Sequence, residues 1–174
     1  AEKITLVDAT GNNNFYCPVE FTTDTITYTR NFQQKTETGV SCGWETIVLP
    51  FNVQSIKHEK NGTLTPFVNT YSGDNRKPFW LYTLEQDNIS AAYSIEANVP
   101  YLICMPNDDA YGDDYIQAGN VTFSAADKTN KIKIAVSNPV EKSQYDVTFV
   151  PTYQSVPASS EVFALNVNQE YKTT

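Results

Sequence analysis

The strongest constraint on this chain is a two-residue rhythm. In Thr25-Ile26-Thr27-Tyr28-Thr29, hydroxyl-bearing and apolar side chains alternate, and most of them are β-branched. Side chains on an extended backbone point to opposite faces in turn, so such a segment buries one face of a strand and wets the other. Ile47, Leu49, Phe51 and Val53 share one face of a similar run, with Trp44, Thr46 and Val48 on the other. Further strand-like runs cover residues 77–84, 101–105, 120–124, 131–136, 145–151 and 161–167. Clusters of Asn, Asp and Gly separate them at 11–14, 61–62, 72–75, 107–109 and 127–130. These residues enter tight turns at little conformational cost. Asn61-Gly62, between His58-Glu59-Lys60 and Thr63-Leu64-Thr65, is a hairpin signal.

No stretch of ten or more residues reads as a helix. Residues 85–97 come nearest, and they fit either one helical turn or a loop leading into another strand. Short strands punctuated by turns predict an all-β domain over residues 1–174. The expected architecture is an antiparallel β-sandwich of jelly-roll or Greek-key type. Runs 47–53 and 79–84 carry apolar residues on both faces, which predicts a central position for each.

Charge narrows the partners. The chain has 12 basic and 20 acidic residues, a net charge of −8, and its only arginines are Arg30 and Arg76. Phosphate backbones are gripped by clustered Lys and Arg, so no nucleic-acid partner is expected. No apolar run approaches the ~18 residues a membrane helix needs, so no membrane insertion is expected either. Lys128, Lys131 and Lys133 read as a solvated strand edge. The opening Ala1-Glu2-Lys3 reads as the start of either a mature secreted chain or an excised piece of a longer one.

Catalytic constellations are sparse. His58 is the one histidine, and its polar surroundings predict an exposed residue at a strand end or loop. Of the three cysteines, Cys17 and Cys42 lie in turn-rich segments and are the pair that an internal bridge would join. Cys104, in an apolar run, reads as a buried thiol acting as a small hydrophobe. Glycoside hydrolysis needs two carboxyls facing each other across a cleft, and Glu45, Glu85 and Glu96 are the candidates near apolar strands. No motif singles out a pair among them.

Two binding readings remain. Asp108, Asp109, Asp113 and Asp114 place four carboxylates within seven residues, a candidate calcium loop. Ala110 and Gly112 fall where ligands should stand, so a solvated acidic loop is the plainer reading. Exposed aromatic rings stack on sugars, and Trp44, Tyr71, Trp80, Tyr82, Tyr111 and Tyr115 are candidates for such a platform. The expected binding set is Tyr71, Trp80, Tyr111 and Tyr115, although the neighbours of Trp44 and Trp80 also suit core positions. Sequons at Asn61, Asn88 and Asn120 matter only in a glycosylating secretory pathway.

Several ordered blocks resemble a module of secreted and surface proteins of Bacteroidota. Tyr28-Thr29-Arg30-Asn31-Phe32 is similar to its "Y-x-R-x-F" stretch, and Trp44-Glu45-Thr46-Ile47-Val48-Leu49-Pro50-Phe51 to "W-x-T-[IL]-x-[LV]-P-F". Ala97-Asn98-Val99-Pro100-Tyr101-Leu102-Ile103 resembles "A-N-x-P-Y-[LI]-[IV]". Phe149-Val150-Pro151-Thr152-Tyr153 departs from "F-x-G-T-Y" at Val150-Pro151, and Phe163-Ala164-Leu165 is similar to "Y-x-L". The resemblance implies an exported all-β module of undefined activity, with no catalytic residues to carry over. Such modules often close with a "P-F-R-A-Y"-like strand that has no counterpart here, so either this is a piece of a longer multi-module surface protein or that strand is dispensable. The resulting expectation is a non-catalytic extracellular module for adhesion or glycan contact, with a glycan or another surface protein as partner. The alternatives are a jelly-roll glycan-active hydrolase and an assembly module that pairs by strand addition.

Overall fold

The computed structural model describes residues 2–8, 15–85, 88–144, 147–154 and 156. Thirteen strands run through them: β1 Lys3–Val7, β2 Phe21–Thr23, β3 Thr25–Phe32, β4 Glu45–Ile47, β5 Ser55–His58, β6 Gly62–Pro66, β7 Lys77–Glu85, β8 Asn88–Ala91, β9 Tyr101–Cys104, β10 Gly119–Ala126, β11 Ile132–Ile134, β12 Lys142–Gln144 and β13 Val147–Phe149. Two short 3-10 turns, Phe67–Asn69 and Asp113–Tyr115, are the remaining regular elements among the described residues. No helix among the described residues is long and apolar enough to cross a membrane.

The main sheet has nine strands in the order β1-β3-β10-β5-β6-β7-β9-β4, with β8 on β7. Strands β2 and β11 form one two-stranded ribbon, and β12 and β13 another. The expectation of purely antiparallel pairing is corrected here, because the sheet is mixed. β1 runs parallel to β3 and β6 parallel to β7. A period-two pattern reports which face a side chain takes, not the direction of its neighbour, so these two pairings left no trace in it. The parallel step from β6 to β7 requires the chain to double back. Asp74 holds that return, accepting from the Arg76 backbone N–H at 2.9 Å and from the Arg76 guanidinium at 2.8 Å.

Alternation then fills the interior. Ile26, Tyr28 and Phe32 of β3 face inward beside Val121, Phe123 and Ala125 of β10. Phe79 and Leu81 of β7, Ile103 of β9 and Ile47 of β4 join the same buried cluster. Strands from both ends of the sheet order therefore share one core, which requires the sheet to curl. Arg30 on β3 marks how far the curl goes, because its guanidinium reaches the Thr46 carbonyl of β4 at 2.7 Å.

Most of the expected strands stand, with shifts at their ends. The run 47–53 differs: only its start is strand, and β4 closes one end of the sheet instead of lying centrally. Pro50 has no N–H to offer a ladder, and Leu49 and Phe51 reach the core from irregular backbone. The 85–97 segment takes its second option, forming β8 and then irregular chain. The hairpin at Asn61-Gly62 forms, pairing Lys57 with Thr63 and His58 with Gly62. The expected turn at 11–14 and strand at 161–167 lie outside the described residues.

Phe123 is fully buried and lies against Tyr28 and Phe32, at ring-centroid distances of 6.1 and 6.3 Å. Phe123→Ala is expected to destabilise the fold by about 3–5 kcal/mol. Urea unfolding checks this, and a loss below about 1 kcal/mol would mean that β10 does not anchor the core.

Candidate functional site

The outer face of β7 is the most distinctive surface. Phe79 and Leu81 point inward, so Trp80 and Tyr82 point outward, roughly 6.6 Å apart along the strand. Across the antiparallel pairing, Trp80 stands opposite Cys104 and Tyr82 opposite Leu102. Trp44, just before β4, meets the Tyr82 ring edge-on at 5.4 Å and 76°. Tyr111, from the loop after β9, leans on Trp80 at 6.4 Å and 58°. All four rings are half-buried, so each presents area to solvent while its neighbours hold it. Beside them, where β6 and β8 both end on one edge of β7, lies an open recess of about 370 Å³. Phe67, Val68, Trp80, Leu81, Tyr82 and Ala91 line it, and Phe67 is 58% exposed.

Of the expected binding set, Trp80 and Tyr111 come together here. Trp44 and Tyr82, candidates for the wider platform but outside the expected set, complete the strip. Neither tryptophan belongs to the buried core, because Phe79, Leu81 and Ile47 occupy the inward positions of their strands. Tyr115 sits at the start of β7, where the Lys77 ammonium lies 5.8 Å from its ring centroid. Tyr71 is separate, exposed on the loop between β6 and β7 with the Arg76 guanidinium 5.8 Å from its ring.

The four aspartates of the proposed calcium loop have different neighbours. Asp108 accepts from the backbone N–H groups of Thr38 at 2.9 Å and Ala110 at 2.8 Å, which hold its carboxyl below the usual range. Asp109 lies 3.7 Å from Lys35, and Asp114 lies 3.3 Å from Lys77. Asp113 begins the 3-10 turn Asp113–Tyr115. Among the described residues no group of three or more potential metal ligands converges.

The lone histidine is not exposed. His58 is 4% accessible, which corrects the expectation drawn from its polar neighbours. Its Nδ1 accepts from the backbone N–H groups of Lys60 at 3.2 Å and Asn61 at 3.1 Å, and its Nε2 donates to the Ala118 carbonyl at 2.9 Å. The ring closes the β5–β6 turn and pins it to the approach to β10. Gly119 passes so close that an added Cβ would lie 2.6 Å from Glu59 and 3.2 Å from His58.

A second polar cluster lies on the inner face. Arg30 donates through Nε to the Tyr28 hydroxyl at 2.9 Å, and Tyr28 donates to Asp8 at 2.8 Å. The guanidinium lies 5.6 Å from the Tyr28 ring centroid and 5.8 Å from that of Phe32. Glu45 belongs to this cluster. Burial raises its carboxyl above the usual range, Arg30 pulls the other way, and Asp8 adds to the rise. Glu96 is exposed on the irregular chain before β9, and the Glu85 side chain lies outside the described residues.

An acid whose folded pKa is raised holds its proton more tightly folded than unfolded. Its ionisation therefore costs stability as pH climbs above the ordinary value of 4.5. Glu45→Gln is expected to be more stable than the native chain at about pH 7, with the gap closing near pH 3.5. Urea unfolding at both pH values checks this, and a less stable variant at pH 7 would mean that attraction to Arg30 outweighs burial. A scan against protein-family models, a search of curated proteins and a search of solved structures find no match to this chain.

Proposed function

We propose that this chain is a non-catalytic extracellular module that contacts glycans through the strip Trp44, Tyr82, Trp80 and Tyr111. The observation that carries the reading is the arrangement of four half-buried rings along one outward sheet face. Flat rings offer apolar area to the C–H face of a sugar, while indole N–H and phenol O–H can bond its hydroxyls. Neighbouring contacts fix the rings before a ligand arrives, which lowers the ordering entropy of binding. The recess beside Trp80 gives a branch or a second residue somewhere to rest. With a net charge of −8, a neutral glycan suits the chain better than an anionic one. The curled sheet is read here as a β-sandwich whose layers meet at the β6–β7 seam. Export and attachment within a surface protein rest on the composition and on the module resemblance.

A second reading, assembly by strand addition, draws on β1. Among the described residues this strand is paired on one side only, and Ile4 to Val7 carry no charge. Edges of that kind accept another strand. Concentration-dependent association in light scattering, abolished by Thr5→Pro, is the outcome that reading predicts.

For the glycan reading, the native chain is screened on an array of plant, host and microbial glycans beside Trp80→Ala, Tyr111→Ala and Tyr71→Ala. The strip variants are expected to weaken binding about tenfold each, on the order of 1–2 kcal/mol. Tyr71→Ala, away from the strip, is expected to bind as the native chain does. No retained glycan, or an equal loss in all three variants, would refute the proposal.

A further inference from the structure

We infer that Cys42 and Cys104 are a disulfide-forming pair, a modification site that staples the segment before β4 to the end of β9. All three cysteines are free in the structure. Cys17 is engaged elsewhere: its backbone N–H donates to Ser137 Oγ at 2.9 Å and its thiol to the Val19 carbonyl at 3.1 Å. Cys104 has Cys42 as its neighbour, with its Sγ 3.7 Å from the Cys42 carbonyl oxygen. The topology explains the meeting. β4 runs antiparallel to β9 with Glu45 opposite Ile103, so the chain ahead of β4 passes the end of β9 where Cys104 stands. Residues 42–44 belong to no strand, and Gly43 adopts φ +78°. No strand ladder therefore ties down the backbone that carries Cys42, which matters because a bridge must meet strict geometry.

Exposure sets the order of events. Cys42 is partly exposed and Cys104 is 2% exposed, so an oxidant meets Cys42 first. Burial pushes the Cys104 thiol up to about 12, and the nearby Cys42 and Glu45 push the same way, which suits it to the second step only. The oxidant is a low-molecular-weight disulfide, R–S–S–R. The Cys42 thiolate attacks one of its sulfurs, breaking the S–S bond and releasing one thiolate, which takes a proton from solvent. Cys104 Sγ then loses its proton to solvent, attacks the Cys42 sulfur and displaces the second thiolate, which is protonated in turn. Two cysteines are oxidised and one R–S–S–R is reduced to two R–SH. The product fixes the backbone that carries Trp44, although this inference does not depend on glycan binding.

The test treats the native full chain with oxidised glutathione, alkylates it under denaturing conditions without reductant, and maps it by mass spectrometry. The expected result is loss of two alkylatable thiols of the three, and one cross-link joining the peptides that hold Cys42 and Cys104, with Cys17 alkylated. Lys57, Lys60 and Arg76 let trypsin separate these peptides. Cys17→Ser should still lose two thiols, and the oxidised native chain should unfold at higher urea than the reduced one. Three free thiols, an unresolved glutathione adduct on Cys42, or a bridge from Cys17 to Cys42 would each overturn the inference.

Discussion

Strand β7 must satisfy two surfaces at once. Its inward residues Phe79 and Leu81 are needed by the core, and its outward residues Trp80 and Tyr82 are set by the same backbone. A strand cannot shift by one residue without exchanging the two sets. The antiparallel pairing with β9 on one edge, and the pairings with β6 and β8 on the other, hold that register. Burial of two apolar side chains thus fixes where two large rings meet water, and the aromatic strip is a by-product of core packing that no separate device has to maintain.

The curl of the sheet makes this possible, and polar chemistry assists it. Arg30 crosses from the second strand of the sheet order to the last, and a charge taken that far inward needs partners. Asp8, the Tyr28 hydroxyl, the Thr46 carbonyl and two ring faces supply them. Burial holds the Tyr28 hydroxyl well above its ordinary range, so it stays a donor to Asp8. Glu45 sits at the margin of the same cluster, where burial and Arg30 oppose each other. The arrangement is a brace between strands whose bonds are already taken up within the fold.

Much of the fold was legible because side-chain alternation reports burial. β3, β7, β9 and β10 fall on runs that the pattern marked. Strand direction, the parallel seam at β6–β7 and the parallel seating of β1 leave no mark in a period of two. Pro50 did leave one: it breaks the ladder after Ile47, and an alternation count that passes over its missing N–H extends the strand too far. The site was half legible. Trp80 and Tyr111 were named from their residue types, but their meeting needed the pairing of β7 with β9 and the course of the loop that follows. Tyr71 and Tyr115 share the same chemistry and lie beside Arg76 and Lys77 instead. His58 looked exposed because its sequence neighbours are polar, yet turn backbone buries it. Which partner closes on a residue from a distant part of the chain is not written in its immediate neighbours.

Both indoles face outward over a buried core. Acrylamide quenching of tryptophan fluorescence in the folded chain measures this directly, because the quencher must touch the ring. With Trp44 and Trp80 half-buried on the outer face, quenching should be substantial in the folded protein and should rise only modestly when the chain is unfolded in urea. Indoles that resist the quencher until the protein unfolds would place both tryptophans in the core and contradict the arrangement of β7 described above.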